Sequence, residues 1–480
     1  MALLGWDEET YMPSAGAAHR GNQAALLAGI AHEKLTDASF GDTINELLLH
    51  SKENLPEGAS AQLLHAKRLH DRGCRLPRKL VEEQRRIAAL SQQAWLEARQ
   101  EKRFSVLEPY LERVISLKRE EAAAIAINGL STWEVLVDEY EPGAREDHIL
   151  PLLDELKNNL KPLIQIAADS TNTPSRNVFC RQYDVRKQRQ LFETVAVKLG
   201  YDMGAGRIDL TTHPFCTTIA GKDVRIAIGI SESDIGDGLF SVIHEVGHAL
   251  YEQGIPEDLV GTPAGELRSF SLHESQSRLW ENLVARSRPF WNFLHPEIQR
   301  MFPGTVDDVS AEEMFLAANS ISPGPVRVYA DEATYNLHIS IRTDLERALI
   351  RGDLSVHDLP AAWNHAYSST LGVTVKNDLE GCLQDTHWPA GLFGYFPTYA
   401  LGNIYAAHLW KAVRSELPSL DTDIESGSFS SLLHWLRQNV HVHASTKSVT
   451  DIIEGATGQK PSSHAFIEHL QARFCELGIM

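Results

Sequence analysis

His244, Glu245 and His248 are the residues of this 480-residue chain whose types and spacing most directly imply chemistry. Four positions apart on a helix, two imidazoles lie one above the other and can close on a single metal ion. The carboxylate of Glu245 sits one step round that face, placed to hold a water on the metal and to take its proton. The flanks support the helix. Leu239, Phe240, Val242, Ile243, Val246, Ala249 and Leu250 form an apolar band at helical spacing through the motif. Ser233, Asp234 and Asp237 offer caps and negative charge at the start, and Gly254 followed by Pro256 is a stop. Read as plain core residues, the two histidines would bury a glutamate without a partner, which costs on the order of several kcal/mol. A metal accounts for all three residues at once.

A third protein ligand has to follow. An extended motif with a third histidine would need Gly at 251 and His at 254, but the chain has Tyr251 and Gly254. A glutamate from the next helix is the other solution. The pattern predicts that helix over 267–284, with Phe270, Leu272, Leu279 and Leu283 as its apolar side and Glu266, Glu274 and Glu281 as candidates. Glu274 is central, flanked by the polar His273, Ser275 and Gln276 on a helix that should be buried, and lies 26 residues after His248. It is the expected ligand.

Ordered motifs extend this reading along nearly the whole chain. His213-Pro214-Phe215 and Asp223-Val224-Arg225 precede the metal helix, and His273-Glu274-Ser275 follows it. Next come Val326-Arg327-Val328-Tyr329-Ala330-Asp331, Gly381-Cys382-Leu383-Gln384-Asp385-Thr386-His387-Trp388 and Gly394-Tyr395-Phe396-Pro397-Thr398-Tyr399. With Trp6-Asp7 and Glu9-Thr10-Tyr11-Met12-Pro13 near the start, the chain resembles the thermostable carboxypeptidase 1 (carboxypeptidase Taq) family of zinc metallocarboxypeptidases. It departs from the family pattern at Ala227, where threonine is usual, and at Ala444, where glycine is usual. The Trp6-Asp7 signature also begins closer to the first residue than in family members, so part of the first helix is expected to be missing.

The resemblance implies a zinc carboxypeptidase that removes single C-terminal residues with broad specificity, with His244, His248 and Glu274 as ligands and Glu245 as general base. Cobalt could substitute, since the ligand set suits both metals. It places His387, Tyr395 and Tyr399 near the site as candidate oxyanion donors. A free C-terminal carboxylate is best held by a bidentate arginine, and Arg327 and Arg225 are best placed by motif. For Arg327 the structural alternative is an ion pair with Asp331; Arg342 reads as a surface partner of Asp344 or Glu346. The resemblance further implies a homodimer and a deep groove lined by helices. Two other readings stay open: a zinc oligopeptidase cutting internally, and an inactive relative that only binds peptides.

Composition bounds the class. A chain of this length with 43% hydrophobic residues can bury a large core, expected as one catalytic domain over 1–480 with two helical lobes around the groove. A formal charge of −19 argues against nucleic-acid and anionic-membrane partners. It also means that local arginines must overcome the field of the whole chain to hold a carboxylate. No apolar run is long enough to span a bilayer and the first residues lack a secretory pattern, so the cytoplasm is the expected compartment. Cys74, Cys180, Cys216, Cys382 and Cys475 are odd in number and form no C-x-x-C pair, so free thiols are expected. His441 and His443 read as structural, because a two-residue spacing is a weak metal signal.

The elements that must position these groups are mainly helices, so the fold class is mainly α, a multi-helix zincin-like peptidase. Helical patterns run over 77–103, 106–128, 149–168, 185–199, 311–318, 330–351, 431–439 and 463–477. The exception is 207–230. There Val224, Ile226 and Ile228 alternate with Arg225, Ala227 and Gly229, and Ala220-Gly221-Lys222-Asp223 supplies a turn. A small β-hairpin is expected beside the metal helix, where it can bind substrate backbone as an added strand.

Overall fold

A computed structural model describes residues 1–50, 58–170 and 174–480. In the first half, α1 (Ala2–Thr10), α2 (Ala17–Leu35), α3 (Ala38–His50) and α4 (Ala59–Arg75) precede α5 (Arg78–Glu101), α6 (Glu108–Ile125), α7 (Thr132–Tyr140), α8 (Glu146–Asp169) and α9 (Val185–Leu199). A small sheet follows, of β1 (Gly206–Leu210), β2 (Phe215–Ala220) and β3 (Asp223–Ile228). The second half holds α10 (Ile235–Glu252), α11 (Phe270–Arg278), α12 (Arg288–Met301), α13 (Ala311–Ala318), α14 (Glu332–Arg351) and α15 (Leu359–Leu371). It ends with α16 (Pro397–Glu416), α17 (Leu420–Glu425), α18 (Ser430–Asn439), α19 (Val449–Thr457) and α20 (His464–Glu476). The protein is mainly α, and its buried apolar side chains form one cluster reaching from Ile87 to Ile479.

The expected hairpin is present as β2 and β3, antiparallel, with a register shift between Thr218 and Ala220. The sequence reading missed its neighbour β1, which pairs parallel with β3, giving the order β1-β3-β2. Parallel pairing needs no local turn, so nothing in the spacing marks it. Val224, Ile226 and Ile228 are buried, and α10 packs on β3. β1 and β2 are the sheet's two edges.

The metal helix α10 begins where the acidic cap predicts: the Asp234 side chain accepts from the backbone N–H of Gly236 and Asp237. A cap of this kind contributes about 1 kcal/mol. The helix expected over 267–284 is two pieces. It starts at Phe270 behind the Ser269 cap and opens at Leu279 into a wide π-helical turn ending at Val284. Wide turns of this kind recur at functional sites, and this one contains Glu281.

Two glycines let the helices meet closely enough to share a site. A Cβ on Gly247 of α10 would lie 2.6 Å from Ser277 Cα and 2.7 Å from the Gln276 carbonyl oxygen. A Cβ on Gly402 of α16 would lie 2.6 Å from Glu274 Cγ. Helix α11 is therefore clamped between α10 and α16 with no room for a methyl group on either side. Gly247→Ala forces two backbones apart and should destabilise the fold by about 1–3 kcal/mol. Thermal denaturation against the parent protein checks this, and an unchanged melting temperature would refute the close-approach argument.

Candidate active site

His244 and His248 project from α10 toward Glu274 on α11. The His244 Nδ1 lies 2.9 Å from Glu281 Oε2, and the His248 Nδ1 lies 3.1 Å from the His273 carbonyl oxygen. Both Nδ1 atoms face acceptors, so each carries the ring proton and each Nε2 presents a bare lone pair. Those two Nε2 atoms lie 3.7 and 3.4 Å from Glu274 Oε2. Three acceptor atoms, all within 4.8 Å of one another, thus converge in a partly buried pocket, the one such group among the described residues. Acceptors so placed repel unless a proton or a metal ion sits among them. Two imidazole nitrogens and a carboxylate oxygen suit Zn2+ and also Co2+.

The surroundings hold Glu274 charged and His248 neutral, the forms that ligate. Arg278 Nε donates to Glu274 Oε1 at 2.6 Å, and Ser277 Oγ donates to Glu274 Oε2 at 3.1 Å. Burial pushes the Glu274 carboxyl up, but Arg278 and His244 outweigh it and hold it well below its ordinary value. Burial pulls His248 down to about 3, keeping it neutral. Burial also works downward on His244, but Glu274 and the hydrogen bond to Glu281 raise it above its ordinary value, as a ring facing two carboxylates should be. Glu281 is itself fixed by Arg278 Nη1 at 3.3 Å and Arg286 Nη2 at 3.2 Å. Glu245 is buried on the same helix, and burial raises it to about 7 against the pull of His244. A carboxyl balanced there can accept a proton and return it near neutral pH.

A second charged cluster lies beside the first. Arg327, 8% exposed, donates to Asp385 Oδ1 from Nε at 3.0 Å and from Nη2 at 2.7 Å, and its Nη1 donates to the Tyr335 hydroxyl at 3.0 Å. Arg342, fully buried, donates to the other oxygen of Asp385 at 2.7 Å and to Gln384 Oε1 at 2.7 Å. Two buried guanidiniums thus share one carboxylate, leaving a surplus of one positive charge. Of the five N–H groups of Arg327, three are used by these contacts and two remain. The loop that carries Asp385 is anchored from the first half, where Trp95 Nε1 and Arg99 Nη1 of α5 donate to the Leu383 carbonyl oxygen at 2.9 and 2.8 Å.

His387, Tyr395 and Tyr399 form one aromatic wall. His387 Nε2 lies 3.1 Å from the Tyr399 hydroxyl, and the two tyrosine rings meet at 5.3 Å. Burial lowers His387 to about 3, and among the described residues its Nδ1 has no hydrogen-bond partner. Glu274 bears electrostatically on both tyrosines, whose hydroxyls are pushed up chiefly by burial and stay protonated donors. A groove of about 1100 Å³ opens beside the metal residues. It is lined by Cys216 and Thr218 of β2, Glu252 of α10, His273, Leu267 and Arg437. His273 stacks on His248 at 4.3 Å, so the groove ends at the metal set.

The structure therefore brings His244, Glu245, His248 and Glu274 together, and sets Arg327, His387, Tyr395 and Tyr399 next to them. It does not bring Arg225 there. The Arg225 fork closes on Asp223 at 2.7 and 2.8 Å and the guanidinium lies 4.2 Å over the Trp6 ring, where α1 docks on the sheet. One alternative weighed for Arg327 is not realised, and the pairing expected for Arg342 differs. Arg327 pairs with Asp385, not Asp331, whose carboxylate caps α14 through Thr334 N. Arg342 is an interior residue bound to Asp385, not a surface partner of Asp344 or Glu346. His441 is buried and bonds Gln276 at 3.0 Å, a structural role as expected. Cys216 is half-buried and feels Glu245 and Glu252, while Cys382 is buried in the core. Glu281, Arg278, Asp385 and Tyr335 were not foreseen in these roles; only the helical spacing of 274, 278 and 281 hinted at the first two.

Comparison with known proteins identifies the family. A family model described as carboxypeptidase Taq (M32) metallopeptidase matches residues 1–474. The chain is similar to thermostable carboxypeptidase 1 of Thermus thermophilus, 38% identical over 485 residues, 99% of this chain and 95% of the relative. It is 35% identical over 482 residues to carboxypeptidase 1 of Bacillus subtilis, covering 100% of this chain and 95% of the relative. The crystal structure of an M32 carboxypeptidase from Deinococcus radiodurans R1 superposes with a TM-score of 0.95 at 37% identity, covering 99% of this chain and 95% of that one.

Glu281 touches no candidate ligand atom, yet it fixes the orientation and tautomer of His244. Glu281→Ala should weaken Zn2+ affinity by about 10–100-fold, the usual effect of removing such a partner. Competition with a chromogenic chelator measures it, and an affinity equal to the parent's would show that His244 needs no such partner.

Proposed function

The chain belongs to the carboxypeptidase Taq (M32) family of metallopeptidases and is a metallocarboxypeptidase hydrolase, and we propose that it works as a zinc enzyme with His244, His248 and Glu274 as ligands and Glu245 as general base. Zn2+ there supplies a Lewis acid that polarises a carbonyl and makes water nucleophilic near neutral pH. Glu245 takes the proton of the attacking water and hands it to the leaving amine. The hydroxyls of Tyr395 and Tyr399, with His387 behind Tyr399, donate to the developing oxyanion.

The observation that carries the exopeptidase reading is the surplus positive charge at Arg327, Arg342 and Asp385. Burying an uncompensated charge is unfavourable, and a C-terminal carboxylate would neutralise it. The two unused N–H groups of Arg327 are the donors for that carboxylate. The peptide upstream of the scissile bond lies in the groove as a strand added to the edge of β2. Backbone pairing reads few side chains, which supports broad specificity.

Homodimerisation is supported by exposed apolar side chains on α2 (Leu26, Leu27, Ile30) and α3 (Leu47, Leu49). Light scattering checks it: twice the chain mass is expected, and the mass of one chain would contradict it. A reducing compartment, the cytoplasm, is supported by five free cysteines. Among the described residues no helix is long and apolar enough to cross a membrane.

Zinc-loaded protein given an N-terminally blocked peptide should release single C-terminal residues from the free acid. The C-terminal amide should be about 10–100-fold poorer in kcat/KM, the worth of a charge-assisted hydrogen bond. Glu245→Gln should keep its zinc and lose about 100- to 10,000-fold in kcat. Internal cleavage of both peptide forms at equal rates would make the protein an oligopeptidase. Zinc-loaded protein that bound the peptide without cutting it would favour the inactive reading.

A further inference from the structure

Tyr335 stands between the two charged clusters and touches both. Its ring lies under the Arg278 guanidinium, 4.3 Å from centroid to Cζ, and its hydroxyl accepts from Arg327 Nη1 at 3.0 Å. Arg278 in turn holds Glu274 at 2.6 Å, and Arg327 holds Asp385. A continuous chain of contacts thus runs Glu274–Arg278–Tyr335–Arg327, from a metal ligand to the arginine that would grip the substrate carboxylate. The side chain is 6% exposed and is wedged by Tyr399, edge-on at 6.2 Å and 90°.

We propose that Tyr335 is a positioning residue that locks Arg327 to the metal-ligand clamp and so sets the one-residue reach of the enzyme; this rests on the roles proposed above for Arg327 and Glu274. In an exopeptidase the span between carboxylate donor and attacked carbonyl must match a single residue, and a misplacement of about 1 Å can cost about 100-fold in rate. A phenol suits the position for two reasons. Its hydroxyl orients Arg327 without supplying a counter-charge, so the surplus positive charge remains for the substrate. Its ring face supports the second guanidinium from the other side. Backbone geometry agrees: Arg327 and Tyr335 lie eight residues apart, and the Asp331 side chain pins the turn between them by accepting from Ser322 N and Thr334 N.

Two substitutions separate the two contacts. Y335F keeps the ring and loses the hydroxyl, whereas Y335L loses both. For Y335F, KM for the free-acid peptide should rise about tenfold, more than kcat falls, while the amidated peptide is cut as before. Its Zn2+ affinity, read by chelator competition, should stay within about twofold of the parent's. Y335L should in addition bind Zn2+ about tenfold more weakly. Parental KM in Y335F, or equal losses on both peptides, would overturn the proposal, as would parental Zn2+ affinity in Y335L. Should Y335L not fold, Y335F decides alone. A parent protein that cut both peptides equally would overturn the carboxylate reading and the proposal with it. Discrimination in the parent that survives in Y335F would remove Tyr335 alone.

Discussion

Three potential ligand atoms held within 4.8 Å of one another constitute the constraint on which this structure turns. The Nε2 atoms of His244 and His248 and Oε2 of Glu274 converge, and without a proton or a metal ion between them their lone pairs would repel. The fold enforces it. Gly247 and Gly402 remove the side chains that would hold α11 away from α10 and α16, and the Nδ1 acceptors commit both imidazoles to their ligating tautomer. Close packing of helices here serves electrostatics, since it gathers lone pairs that a proton or a metal ion must bridge.

The same logic runs with opposite sign a few residues away. Arg327 and Arg342 share Asp385, and the leftover charge is positive in a chain whose formal total is −19. An anion repelled by the chain as a whole would be held at this pole. The site is therefore dipolar: acceptors suited to a cation at one end and donors suited to a carboxylate at the other, with Tyr335 between them. A peptide C-terminus has the matching polarity, with its carboxylate one residue beyond the carbonyl to be attacked.

The acceptor half was legible in the sequence. The i, i+4 histidines, the Asp234 cap and the apolar band are local signals, and local signals fix a helix and the face it presents. Glu274 could be chosen because its helix was visible and its neighbours were polar. The donor half was not legible in the same way. Arg327 and Asp385 are 58 residues apart in sequence, and Arg342 and Asp385 43 apart, so no spacing rule pairs them. Arg342, followed closely by Asp344 and Glu346, looked like one member of a surface ion pair; its helix is in fact interior. Arg225, strong by motif, is spent on Asp223 and Trp6. The strand β1 escaped notice because parallel pairing leaves no turn, and α16 because Gly402, which lets α11 approach, and its alanines blur an amphipathic pattern.

The most direct test of the cation claim is X-ray absorption at the zinc edge on protein loaded with one equivalent of Zn2+. Two imidazole nitrogens at about 2.0–2.1 Å, oxygen at about 2.0–2.2 Å and no sulfur scatterer are expected for His244, His248 and Glu274. A sulfur shell at about 2.3 Å would mean that Cys216 or another thiol binds the metal. A shell of oxygens without imidazole scattering would mean that the convergence of the two histidines on Glu274 serves some other end.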